Sequence, residues 1–197
     1  MRRRSEGDAE KGKRDMAIGK HDCKVAVDVD LRGAIIIGLD EAFTALEESI
    51  HDLSDEQLRA FPVPGKNNIA WIVMHCLDNL DHCANGIAAG QRCMPYERRW
   101  DLWQCAPEDR PQPGDTFPAQ EAMMELLRQI RRVALTTLDN LNEESLTARV
   151  VTHPVKKSRA DFYMRAIYHA MSHLRQIWLL RGALGLATGP WPEQHWS

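Results

Sequence analysis

The sequence predicts an all-α protein, a four-helix bundle with a long crossover between its second and third helices. Three observations carry that expectation. Four segments show apolar residues recurring at steps of three and four, the period of an amphipathic helix. Prolines and glycines break the chain between them. Residues 91–117 show no such period, and a structureless stretch this long inside a compact domain is usually a crossover or a functional loop.

The chain of 197 residues is 44% hydrophobic and 27% charged, with a net charge of −3. That length fits one domain with a sizeable core, and a charge so near zero gives no field that would favour nucleic acid. No apolar run approaches the roughly 18 residues needed to cross a bilayer. The basic N-terminus is followed by no apolar core of a secretory signal. The five cysteines are odd in number and show no C-x-x-C spacing, which suits reduced thiols in a cytoplasm better than a disulfide scaffold.

Residues 1–27 carry Arg2, Arg3, Arg4, Lys11, Lys13 and Arg14 among acids and glycines, and are expected to form a disordered charged tail. Interspersed acids weaken a nucleic-acid role for them. Translation from Met16 is the alternative, which an intact mass decides. The bundle is assigned to residues 28–190 and a short C-terminal tail to 191–197.

The first helix places Leu31, Ile35, Leu39, Ala42, Leu46, Ile50 and Leu53 on one face, with Asp28 or Asp30 able to cap it. Pro62, Pro64 and Gly65 interrupt the link that follows. A second helix starts at Asn67 or Asn68, has Ile69, Val73, Cys76, Leu80, Cys83 and Ile87 as its seam, and stops near Gly90. Pro118 suits the first turn of a third helix, whose seam is Met123, Leu127, Ile130, Ala134, Thr137 and Leu141. A fourth runs from about Ser158 to Leu184, with Ala160, Met164, Ile167, Met171, Leu174 and Trp178 as its seam and Gly185 at its end. A bundle of such helices is roughly 30 Å tall. The 91–117 stretch can cross that full height, and the two shorter connections allow antiparallel neighbours, which predicts up-down-down-up order. The segments 53–58 and 141–146, Leu-x-x-Glu-x-Leu in both, hint at a duplicated hairpin.

The fourth helix has a second line beside its seam: Phe162, Ala166, His169, His173, Gln176 and Leu180. His169 and His173 lie one turn apart on one face, close enough to share an ion. Two histidines lining a polar patch is the plainer reading. On the second helix, His75 flanks the apolar face, where an imidazole must be hydrogen-bonded or coordinated. His75, His169 and His173 can supply three nitrogens with positions left for water, as in catalytic zinc sites. Imidazole also suits nickel, copper or iron. His82 lies two turns, about 10 Å, from His75 and cannot share the ion. Asp78, Asn79 and Gln176 are candidates for supporting roles, and Cys76 or Asp78 for a fourth ligand. His21, His51, His153 and His195 receive no role. The H-E-x-x-H pattern is absent, as are G-x-G-x-x-G, P-loop and G-x-S-x-G motifs. The one Glu-x-x-His spacing, Glu48 to His51, does not make a di-iron site.

The segment Asn68-Ile-Ala-Trp-Ile-Val-Met-His75, together with Tyr168-His-Ala-Met-Ser-His-Leu-Arg-Gln-Ile177 and the following Leu184-Gly185, resembles the DinB/YfiT-like family across about residues 30–190. The resemblance implies an up-down-down-up bundle, often a homodimer, with a divalent metal ion (zinc or nickel first; iron, manganese or copper otherwise) on His75, His169 and His173. Members include transferases and isomerases that use low-molecular-weight thiols such as bacillithiol or mycothiol, so a small-molecule substrate and such a thiol become the expected partners. Two other functions stay open. One is hydrolysis by metal-activated water, for which the sequence shows no distinct general base, Asp78 being the one candidate. The other is a non-catalytic, stress-related metal-binding bundle. In the transferase reading, the crossover's Trp100, Trp103 and Arg98 or Arg99 could cover the substrate, though aromatic packing on the bundle explains them as well.

Overall fold

The computed structural model describes residues 29–95, 97, 100, 110–151, 154 and 157–187. Among them there are helices and no strand, only an isolated bridge between Arg149 and Ser158. The expected tails at 1–27 and 191–197, and with them Trp103, Arg98, Arg99, His21, His153 and His195, lie outside the described residues.

Helix α1, Leu31–Glu48, is capped by Asp30, whose side chain accepts from the Gly33 amide at 2.7 Å. Of its expected stripe, Ile35, Leu39, Ala42 and Leu46 are buried. The helix is shorter than its periodicity suggests. At Ser49 the hydroxyl donates to the Ala45 carbonyl, and Ile50 and Leu53 are buried from the turn that follows. The two Leu-x-x-Glu-x-Leu segments each form a five-residue helix, α2 at Asp55–Arg59 and α5 at Glu143–Thr147. Both are opened by a polar cap, Ser54 and Asn142, and both bury their second leucine, Leu58 and Leu146.

Helix α3, Ile69–Leu80, opens on Asn68, whose side chain accepts from the Trp71 amide at 2.9 Å. Every residue of α3 is buried, so it is a central helix rather than an amphipathic one. The chain continues as a π-helical segment, Asp81–Ile87, where the Ala88 amide reaches back five residues to the Cys83 carbonyl. Such wide turns insert one extra residue into a helix and recur at functional sites.

Helix α4, Gln120–Asp139, starts two residues beyond Pro118. Its first amide is capped from another element, the Gln120 N–H donating to the Asp55 carboxylate at 2.7 Å. Its buried line is Met123, Leu127, Ile130, Ala134 and Leu138. Leu138 takes the place expected of Thr137 and Leu141.

Helix α6, Arg159–Ala183, begins with a capping box between Ser158 and Asp161 and ends in a Schellman turn, Leu186 N–H to Arg181 O and Gly185 N–H to Gly182 O. Gly185 has φ +75°, a value glycine adopts without steric cost. The seam expected on this helix is displaced. Met164 is 51% exposed, and the buried line is Tyr163, Ala166, Ala170, Leu174, Ile177 and Arg181. Both α1 and α3 pack on α6. The small Ala166 and Ala170 let them approach closely, so burial follows the alanines rather than the larger methionines. α4 packs on α1 and on α3, completing four long helices around one core.

The turn after α1 is tied to the end of α6 by Arg181, which is 4% exposed. Its guanidinium donates to both Asp52 carboxylate oxygens, at 2.6 and 2.9 Å, and to the Ser49 carbonyl at 2.9 Å. No helix among the described residues is long and apolar enough to cross a membrane.

Candidate metal centre

α3 and α6 lie side by side, and the three expected histidines meet between them. The ring centroids of His75, His169 and His173 stand 4.7, 4.8 and 4.6 Å apart. One ligand nitrogen from each lies within 4.8 Å of the other two, and no cysteine, aspartate or glutamate joins them among the described residues.

Each ring is held by a different device. The His75 Nδ1 hydrogen-bonds the Trp100 carbonyl. A carbonyl only accepts, so Nδ1 carries the proton and the neutral ring keeps its lone pair on Nε2. Trp71, one turn earlier, stacks on the same imidazole at 5.0 Å and 14° between planes. His173 Nδ1 meets the Gln176 amide oxygen at 3.0 Å, which likewise leaves Nε2 as the free donor. Such partners orient metal-ligating imidazoles. His169 differs: its Nδ1 is buried with no hydrogen-bond partner. Burial, then the fields of His75, His173 and Arg165, push its pKa down to about 3, so the ring is neutral in the range where metals bind. A buried, neutral nitrogen with nothing to bond is costly in a protein alone and is accounted for by an ion among the three rings. The donor set therefore fits a divalent metal.

The remaining candidates are engaged elsewhere. Asp78 is buried and ion-paired to Arg92 at 2.6 Å, rather than poised as a base or ligand. Cys76 is wholly buried and its thiol is pushed far up by burial. Cys83 and Cys93 are each held up at about 11, desolvation being the main cause. The Asn79 side chain accepts from the Cys83 thiol. His82 is exposed, as is His51, whose Nδ1 meets the Glu48 carbonyl.

Spacing did not reveal what anchors the crossover. Asp81, in the π-helical segment, is fully buried and accepts from the Cys93 and Met94 amides at 2.9 and 3.0 Å and from Arg92 Nε at 3.2 Å. Asn85 donates to Asp81 and to the Ile130 carbonyl of α4. This network fixes the start of the chain that later brings Trp100 over His75. Trp100 itself is 1% exposed, with its ring 6.0 Å from Phe117. It serves the core through its indole and the centre through its carbonyl. An aspartate and an asparagine four apart inside an apolar helix were the available signal for the network. A backbone carbonyl leaves none.

A model of the DinB superfamily matches residues 39–177. Two solved structures share the fold at low identity. A conserved protein from Enterococcus faecalis is 18% identical, with a TM-score of 0.61 over 77% of this chain and 96% of that one. YfiT from Bacillus subtilis is 15% identical, with a TM-score of 0.54 over 86% and 97%, and is described as a probable metal-dependent hydrolase with an unusual four-helix bundle topology. No curated protein matches the sequence.

Proposed function

This chain belongs to the DinB superfamily, and on that premise we propose that it is a metal-dependent enzyme joining a low-molecular-weight thiol to an electrophilic small molecule. The observation that carries the reading is the set of three converging imidazoles with no fourth histidine, cysteine, aspartate or glutamate among the described residues. Structural metal sites are closed by protein ligands, whereas catalytic ones keep a position for water or substrate. A bound divalent ion, zinc or nickel first on imidazole chemistry and iron, manganese or copper otherwise, would supply Lewis acidity and lower the pKa of a thiol or water.

The chain's own residues favour a thiol from outside. Among the described cysteines, Cys76, Cys83 and Cys93 are held toward the thiol form, chiefly by desolvation. Asp78 is neutralised by Arg92, and no aspartate or glutamate joins the three histidines among the described residues. A thiol whose proton leaves on ligation needs no carboxylate base. His75 and His173, fixed by the Trp100 carbonyl and Gln176, present their Nε2 atoms without rearrangement.

Hydrolysis is the second reading, supported by the description of YfiT. A homodimer is supported by Met164, Tyr168 and Leu179, exposed apolar residues within one face of α6; light scattering of purified protein decides it. The central test is elemental analysis of the wild type beside His75→Ala and His169→Ala. Near one metal per chain is expected, lost in both variants. Turnover of electrophiles is then measured with several thiols and with none. Rates that require a thiol support the transferase, rates in water alone support the hydrolase, and no metal in the wild type removes both.

A further inference from the structure

One helical turn from the histidines, α6, the start of α3 and the link that precedes it, together with Arg110, wall a pocket of about 380 Å³, within the range of small-molecule sites. It is lined by Val63, Lys66, Ile72, Arg110, Gln176 and Leu180, among others. Two of these connect it to the centre. Ile72 precedes His75 by three residues on α3. Gln176 follows His173 by three on α6 and holds its Nδ1 at 3.0 Å. Residues three apart share a helix face, so the pocket lies one turn along the α3–α6 seam from the centre.

The lining is apolar except at defined points. Val63, Ile72 and Leu180 form the walls, and no aspartate or glutamate among the described residues contributes. Two cations do, Lys66 and Arg110. Arg110 is placed by its bond to the Gly65 carbonyl, 2.8 Å away. Among the described residues neither cation has a carboxylate within ion-pair distance. Paired cations without a counter-charge beside apolar walls are complementary to an anion with an apolar body. The Gln176 oxygen is engaged by His173, which leaves its amide N–H groups to face an occupant.

We propose that this pocket binds a carboxylate-bearing organic substrate. Its carboxylate sits with Lys66 and Arg110, its apolar body lies on Val63, Ile72 and Leu180, and its reacting end extends past Gln176 to the three histidines. This names the substrate class for the function proposed above and rests on that reading, but pocket binding is measurable without any turnover.

The experiment is calorimetric titration with 4-phenylbutyrate and its neutral analogue 4-phenylbutyramide. The proteins are the wild type with and without zinc, the Lys66→Gln/Arg110→Gln double variant, and His169→Ala. The acid is expected to bind wild type at least about tenfold more tightly than the amide, the scale of one charge-assisted hydrogen bond. The double variant is expected to lose that preference while keeping its zinc stoichiometry and melting temperature. His169→Ala is expected to lose zinc and still bind the acid. Equal affinity for acid and amide, an unchanged preference in the double variant, or no measurable binding of the acid would each overturn the proposal. So would acid binding that disappears together with zinc in His169→Ala, which would place the carboxylate on the ion. If wild type takes up no zinc yet binds the acid as expected, the metal reading fails and the pocket stands.

Discussion

His169 has the least local support of the three histidines, and that makes its substitution informative. The other two have a partner for Nδ1, a carbonyl and an amide oxygen, whereas its own Nδ1 is buried and unsatisfied. Removing a group that the metal-free protein holds at a cost relieves that cost, while the lost packing is only partial because the ring is not fully buried. His169→Ala is therefore expected to change the stability of the metal-free protein by less than about 1 kcal/mol in urea unfolding. It is also expected to abolish metal uptake. A loss of several kcal/mol without metal would show that the ring is a core residue first and a ligand second. His75 contrasts with it: stacked on Trp71 and bonded to Trp100, it is expected to cost about 1–3 kcal/mol on replacement by alanine even without metal.

At the level of the helices, the π-helical segment gives a prediction whose sign runs against propensity. Glycine to alanine inside a helix ordinarily stabilises by about 1 kcal/mol. At Gly86 the added Cβ would lie 2.8 Å from Cγ of Arg92. That side chain cannot step aside, because its head is pinned to Asp78 and Asp81. Gly86→Ala is expected to destabilise by about 1–3 kcal/mol, read from the urea midpoint; a gain in stability would mean the Arg92 clamp is soft. The tie between α1 and α6 gives a second prediction. The Arg181 hydrogen bond holds the Asp52 carboxyl below its ordinary value of 3.8. The unfolded chain therefore binds the proton first, and the pair's contribution is present above pH 3.8 and lost as pH falls through the lower folded value. Asp52→Asn is expected to cost about 1–2 kcal/mol at pH 7, a figure kept small because Asp52 is half exposed. That gap should close in unfolding measured at the acid end. These elements also mark what the sequence could and could not disclose. Asp30, Asn68 and Ser158 were legible as helix starts, because a cap is a contact over three residues. The start of α4 was not, because its cap is Asp55, far away in sequence. The stripe of α6 was misplaced, since two adjacent columns of similar hydrophobicity differ only in which is narrow enough for two neighbouring helices.

For the molecule as a whole, the centre joins α3 to α6, the fully buried helix to the longest one. That His169 and His173 share one face of α6 was legible from their spacing of four, whereas His75, on α3, stood out as an imidazole beside an apolar face and through the family resemblance. The hydrogen bond from Trp100 was not, because it comes from main chain brought in by a buried network around Asp81. An ion held across α3 and α6 exists only when the helices are packed, so binding is linked to global unfolding. With free metal at about one hundred times its dissociation constant, the folded state gains about 2.7 kcal/mol. For a domain of this size that raises the melting temperature by roughly 5–10 °C. Zinc added to metal-free protein is expected to produce that rise, a chelator to reverse it, and His169→Ala to show none. A rise of equal size in His169→Ala would assign the stabilisation to another site. A metal stoichiometry near one with no rise would mean that the unfolded chain binds the ion about as tightly as the folded one. Zinc titration of the urea-unfolded chain checks that outcome directly, since it requires an unfolded-state affinity close to the folded one.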